Sequence, residues 1–161
     1  MISDDFIKYM KTVENESLLL TGSPTRHPSP EGGNDTIGYG HKLSVLEDAT
    51  NQVYGFDLDQ LTEAQCEFIL VRDIANRVGT LRQRLGRARW DSLSDRQQEI
   101  LVEYEYHVGQ VERIFPKFTA AVQHNDIAGM RAEYERYYRD KKGRTKPLTR
   151  RNEQFYERYL A

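Results

Sequence analysis

The hydrophobic positions of this chain fall mostly into helical rows. Phe6, Ile7, Met10 and Val13 recur at three- and four-residue spacing, the mark of an amphipathic helix. Ser3 supplies a cap, and Asp4 and Asp5 fill a first turn where the helix dipole favours anions. The helix is expected to run to about Glu14, whose carboxylate continues the Ile7 row and should emerge where the apolar stripe ends. Farther along, Thr62 with Gln65 forms a capping box, and Phe68, Val71, Ala75 and Val78 line one face of a helix ending near Gly79. That helix is long enough to link two lobes. Arginines 82, 84, 87, 89 and 96 surround Leu81, Leu85 and Ala88. Ser94 with Gln97 repeats the box ahead of Ile100, Leu101, Tyr104 and Val108, so a helix over about 94–108, stopped by Gly109, should be the core of the larger lobe. Phe115, Phe118 and Val122 mark a short helix; Asp126 can cap another bearing Ile127, Met130, Tyr134 and Tyr137; Leu148, Asn152, Phe155 and Tyr159 suggest a closing helix. Between the last two, Lys141 to Pro147 is a basic loop.

One stretch breaks the helical pattern. Glu31-Gly-Gly-Asn-Asp-Thr-Ile-Gly-Tyr-Gly-His41 holds four glycines in eleven residues, with Thr36, Ile37 and Tyr39 set among them. This describes a tightly turned β-ribbon that another polymer can approach closely. Residues 21–30, with three prolines, form an irregular loop ahead of it, and residues 41–58 are expected to give a short strand and then loop. The fold class is therefore α+β: mainly helical, with a small β-hairpin lobe joined by a helix to a larger helical lobe.

At 161 residues the chain is long enough for one domain over 1–161, divided into a small lobe of about 15–60 and a helical lobe of about 80–161 plus the N-terminal helix. No run of eighteen apolar residues exists, and Asp4 and Asp5 argue against a secretory signal. Cys66 is the only cysteine; an internal disulfide or multi-thiolate zinc site is excluded, and a small buried residue is expected. Charge is uneven: residues 1–80 carry 6 Lys+Arg against 13 Asp+Glu, residues 81–161 carry 17 against 12. Such a division suits an anionic polymer laid across the molecule, or two solvated faces.

From spacing alone, Glu14 beside the glycine-rich ribbon is either a proton donor or an ordinary exposed glutamate, as Glu16 stands two residues on. Glu14 has desolvation at an apolar face and the carboxyl end of a helix to raise its pKa. Val13-Glu14 followed by Thr36-Ile-Gly-Tyr-Gly-His41 resembles the phage-type lysozymes, endolysins of the T4 kind. Leu61-Thr-Glu-Ala-Gln, Trp90-Asp-Ser-Leu-Ser, Phe115-Pro-Lys-Phe118 and Leu148-Thr-Arg-Arg151 resemble later landmarks of that family in order. The resemblance implies a lysozyme-like fold with Glu14 as proton donor and Thr36 as the residue that positions the attacking water. The family's aspartate is replaced by Pro30, so Glu31 is the choice for the second carboxylate, with Asp35 as competitor. It also implies sugar contacts at Tyr39 and at His107, which could make binding pH dependent, and a basic pair, Arg150 and Arg151, near the catalytic glutamate, one of which should also pair with another acid. His41 is expected to be a hydrogen-bonded structural residue at the ribbon's end and not a metal ligand.

The resulting expectation is a cofactor-free, monomeric bacteriophage muramidase that cuts the β-1,4 bond between N-acetylmuramic acid and N-acetylglucosamine in bacterial peptidoglycan. No nucleic acid, metal or membrane insertion is called for. It would be made in the host cytoplasm without a signal peptide and reach the periplasmic wall by holin-type release or as a virion component. A lytic transglycosylase using a single glutamate is the nearest alternative, then a wall-peptide endopeptidase. From another class comes a non-catalytic wall- or nucleic-acid-binding module, suggested by the basic, tyrosine-bearing segment 131–158.

Overall fold

Ser3 begins the described fold by accepting a hydrogen bond from the Phe6 amide at 3.1 Å, which starts α1 (Asp4–Val13). The computed structural model describes residues 2–14, 26–28 and 33–161. By their contacts Ser3–Gly79 form one compact unit, and Thr80–Ala161 with Ile2 form the other. The first helix thus belongs with the hairpin-bearing residues and not, as expected, with the helical lobe. In its apolar row Phe6 and Met10 are fully buried, and each such side chain contributes roughly 1.5–3 kcal/mol.

In the first unit α1 is followed by the hairpin β1 (Thr36–Ile37) and β2 (His41–Lys42), paired antiparallel with Thr36 opposite Lys42 and Ile37 opposite His41. His27 extends it by an antiparallel bridge, exchanging both amide–carbonyl bonds with Thr36 at 3.0 and 2.8 Å. The stretch after β2, expected to be loop, contains a helix, α2 (Val45–Thr50). Its apolar residues gave no burial signal because Val45 and Leu46 are 79% and 72% exposed. What starts it is the complete Ser44–Glu47 capping box, a device worth about 1 kcal/mol. A second hairpin follows, β3 (Gln52–Val53) and β4 (Phe56–Asp57), and then a single 3₁₀ turn, Leu58–Gln60. Ile37, Leu43, Val53, Leu58 and Ile69 form this unit's apolar cluster, with Phe56 and Leu61 against it.

The long helix α3 (Glu63–Leu85) starts at the expected Thr62–Gln65 box, with both reciprocal bonds formed at 3.0 and 3.2 Å. It continues past Gly79, so its last residues belong to the second unit. Its buried face is also not the expected one. Cys66, Ile69, Leu70 and Ile74 are buried, whereas Phe68 and Val71 are 47% and 43% exposed. Two interleaved apolar rows were present, and the one facing the cluster wins. Phe68 instead meets the edges of Phe56 and Tyr54, with ring centroids 5.4 and 6.3 Å away.

The second unit adds α4 (Arg87–Ser92), α5 (Asp95–Val108), α6 (Val111–Ile114), α7 (Pro116–Gln123) and α8 (Ile127–Glu133). The expected Ser94–Gln97 box and Asp126 cap are both formed. Gly109 ends α5, where φ is +65°. Tyr104 of α5 stacks on Phe118 at 4.2 Å and meets the edges of Phe115 and Phe155, which makes α5 the centre of this unit. Two expectations are corrected here. Tyr137 does not extend α8, and the basic loop is partly strand: β5 (Tyr137–Arg139) pairs with β6 (Thr145–Pro147). The closing helix α9 (Thr149–Tyr159) follows, burying Asn152, Phe155 and Tyr159 as their spacing predicts.

Candidate active site

Glu14 is the C-cap of α1, with φ −99° and ψ 2°, and its amide donates to the Met10 carbonyl at 3.0 Å. Its Oε1 has no solvent contact. Thr36 and Tyr39 are buried in the ribbon of the same unit. One turn before Glu14, Lys11 sits with Nζ 5.7 Å from the centre of the Tyr39 ring and pairs with Glu67 at 3.2 Å. Lys11 therefore ties the last turn of α1 to both the ribbon's turn and α3. Burial raises the pKa of Tyr39 against the opposing charge of Lys11, so its phenol stays a neutral hydrogen-bonding group at ordinary pH.

The ribbon needs its glycines for a local reason. Gly38 has φ +52°, and a Cβ there would stand 3.2 Å from the Cys66 sulfur of α3. A side chain at that position meets backbone strain, and the Cys66 sulfur would have to give by a few tenths of an ångström. At the ribbon's end His41 is the structural residue expected, its Nδ1 2.7 Å from Asp73 Oδ2 and its Nε2 3.2 Å from Glu47. Burial pulls its pKa down, but the hydrogen bond and charge of Asp73, joined by Glu47, outweigh this and hold it above the usual histidine value. No group of histidine, cysteine and carboxylate side chains suited to a metal occurs among the described residues.

Glu31 lies outside the described residues. Its competitor Asp35 is half-exposed and accepts a hydrogen bond from Arg26 Nε at 2.7 Å, while Arg26 also pairs with Asp48. An arginine partner of this kind already occupies the carboxylate.

In the second unit Arg151 pairs with an acid, as expected: its Nη2 is 3.0 Å from Glu103 Oε1. Arg150 is exposed. Glu103 is fully buried on α5 and is held from the other side by Arg136, itself buried, at 2.8 and 3.1 Å. Arg136 lies over the Tyr104 ring at 4.1 Å and approaches His107 Nδ1 at 3.2 Å. A guanidinium only donates, so Nδ1 is the acceptor and the proton sits on Nε2. Burial first, then the charges of Arg151 and Arg136, push the His107 pKa down to about 3. His107 is therefore neutral at ordinary pH, and the expected titration of a contact there is corrected by its two arginine neighbours.

Sequence reasoning missed Glu103, Arg136, Asp73 and Lys11. Each is a charged residue whose partner lies far away along the chain, so local periodicity carries no trace of it.

One unit with a glycine-rich ribbon and a second that is largely helical are the elements of a lysozyme-type fold. Residues 20–154 match the Phage lysozyme family, and the chain belongs to it. The matched range begins after Glu14. Comparison with curated protein sequences gives no match. Among solved structures the chain is similar to the muramidase domain of SpmX from Asticaccaulis excentricus, at 18% identity and a TM-score of 0.66, over 100% of this chain and 98% of that one. At that identity the likeness concerns the fold. No described helix is long and apolar enough to cross a membrane.

Proposed function

We propose that the chain is a muramidase that hydrolyses the β-1,4 bond between N-acetylmuramic acid and N-acetylglucosamine in bacterial peptidoglycan, with Glu14 as proton donor. The observation that carries this reading is the placement of Glu14: it closes α1 with one carboxyl oxygen out of solvent, one turn beyond the lysine that rests on the ribbon tyrosine. Membership of the phage lysozyme family supports the same chemistry. Thr36 offers the short hydroxyl that can position water, and Glu31 is the proposed second carboxylate, since Asp35 is engaged by Arg26. Tyr39 and His107 are proposed sugar contacts, His107 as an Nε2–H donor, with Arg150 and Arg151 supplying positive charge. The enzyme would act as a monomer on the periplasmic wall, without a cofactor, during lysis or at entry of a bacteriophage.

Turbidity loss of Gram-negative cells with permeabilised outer membranes tests the assignment. Glu14→Gln should lower the rate by at least about a hundredfold while circular dichroism stays native. Glu31→Gln should lower it more than Asp35→Asn; a folded Glu14→Gln protein with full activity would overturn the reading. Mass spectrometry of released fragments separates hydrolysis from transglycosylation, because anhydro-muramyl ends arise only from the latter.

A further inference from the structure

The β5–β6 hairpin is out of place as a purely structural element. All of its strand residues, Tyr137–Arg139 and Thr145–Pro147, are exposed, so neither face of the ribbon is covered. An isolated two-stranded hairpin is marginal in water, and this one is instead braced at its two ends. At the tip, Asp140 accepts from the amides of Lys142 and Arg144, both at 2.9 Å, and from Arg144 Nε at 2.9 Å, while Gly143 takes a φ of +75°. At the base, Asn152 of α9 accepts from the Arg136 amide and donates to the Arg136 carbonyl, both at 3.0 Å, and the Leu148 amide donates to the same carbonyl at 2.9 Å.

What this braced finger displays is charge and tyrosine. Residues 137–147 contain five Lys+Arg and one acid, Asp140, in a chain of net charge −2. That acid is committed to the turn and to Arg144 and Lys146. Arg139, Lys141 and Lys142 form no ion pair among the described residues. Tyr137 and Tyr138 are 53% and 46% exposed, and as successive strand residues they lie on opposite faces.

We infer that this hairpin is a docking finger for the anionic headgroups of a phospholipid bilayer surface, a binding function separate from any chemistry at Glu14. Charge complementarity names the occupant. Cations near an anionic leaflet are each worth a substantial gain in affinity, and tyrosine, with an apolar ring and a polar tip, partitions to the headgroup level. A finger entering a headgroup layer is wetted on both sides, which matches tyrosines on both faces. A nucleic-acid platform would instead stack successive bases along one face, and here each face carries a single tyrosine.

Sedimentation of the whole protein with vesicles tests the inference. With phosphatidylglycerol–phosphatidylethanolamine vesicles at about 0.1 M salt the protein should co-sediment, with release as salt rises; with phosphatidylcholine alone it should stay in solution. The double variant Lys141→Glu, Lys142→Glu at the exposed tip should lower the partition coefficient at least about tenfold with unchanged melting. Tyr137→Ser with Tyr138→Ser should lower it several-fold and leave the salt dependence intact. Equal partition of the wild type and the charge variant would overturn the inference, as would tighter binding to a single-stranded oligonucleotide than to vesicles at equal phosphate concentration.

Discussion

Two histidines, one in each unit, meet opposite fates. His41 lies between Asp73 and Glu47, and its proton is held by two carboxylates. His107 lies beside Arg136 and Arg151, whose charges and its own burial keep it neutral, with a pKa of about 3. Both rings are largely enclosed, so enclosure by itself does not decide protonation; the sign of the nearest partners does. Their effects on stability are accordingly reversed. The raised pKa of His41 gives a contribution fully present below its unfolded value near 6.5 and lost as pH rises through its folded pKa. The lowered pKa of His107 removes stability as pH falls below about 6.5, progressively down to about 3.

The largest break in this contrast should come from Glu103, the buried acid that both arginines share. Glu103→Ala leaves Arg136 buried without its carboxylate, and a loss of about 3–5 kcal/mol is expected in urea melts. Asp73→Asn comes next. It removes the charged partner of His41 and the acceptor of the Tyr54 hydroxyl at 3.1 Å, at a cost of about 1–3 kcal/mol. That cost should be greatest between the carboxylate range and pH about 6.5 and should shrink as pH rises through the His41 pKa; a pH-independent cost would show that the charge of His41 is irrelevant. His107→Gln keeps an acceptor for Arg136 but cannot take up a proton, so its melts should flatten with acid where the wild type declines. Histidine NMR sharpens the same point: His41 should titrate above 6.5, His107 not until about 3. The smallest effect is assigned to Tyr54→Phe, below about 1 kcal/mol, because it removes only the hydroxyl shared by Asp73 and Asn76.

Caps were legible in the sequence where they acted locally, whereas the buried row of α3 was not, because two apolar rows interleave there. Ser3, the Thr62–Gln65 and Ser94–Gln97 boxes, Gly109 and Asp126 mark their helix ends as expected. The helix at Val45–Thr50 escaped because its cap was present while its apolar residues stay in water. The β5–β6 hairpin escaped for a related reason: with both faces exposed there is no alternation to read. At the candidate site, the position of Glu14 at a helix end and the hydrogen-bonded role of His41 followed from spacing and motif. The buried network around Glu103 did not, since an acid in the middle of α5 acquires its meaning from Arg136 and Arg151, 33 and 48 residues later.

The thiol of Cys66, fully enclosed beneath Gly38 and pushed up to about 11 by burial, is protonated and out of reach of reagents in the folded state. Maleimide dyes and spin labels should therefore ignore it. A cysteine introduced at an exposed position, such as Lys141 at the hairpin tip, can be tagged alone in the otherwise native sequence, and purification in air should leave no covalent dimers to remove.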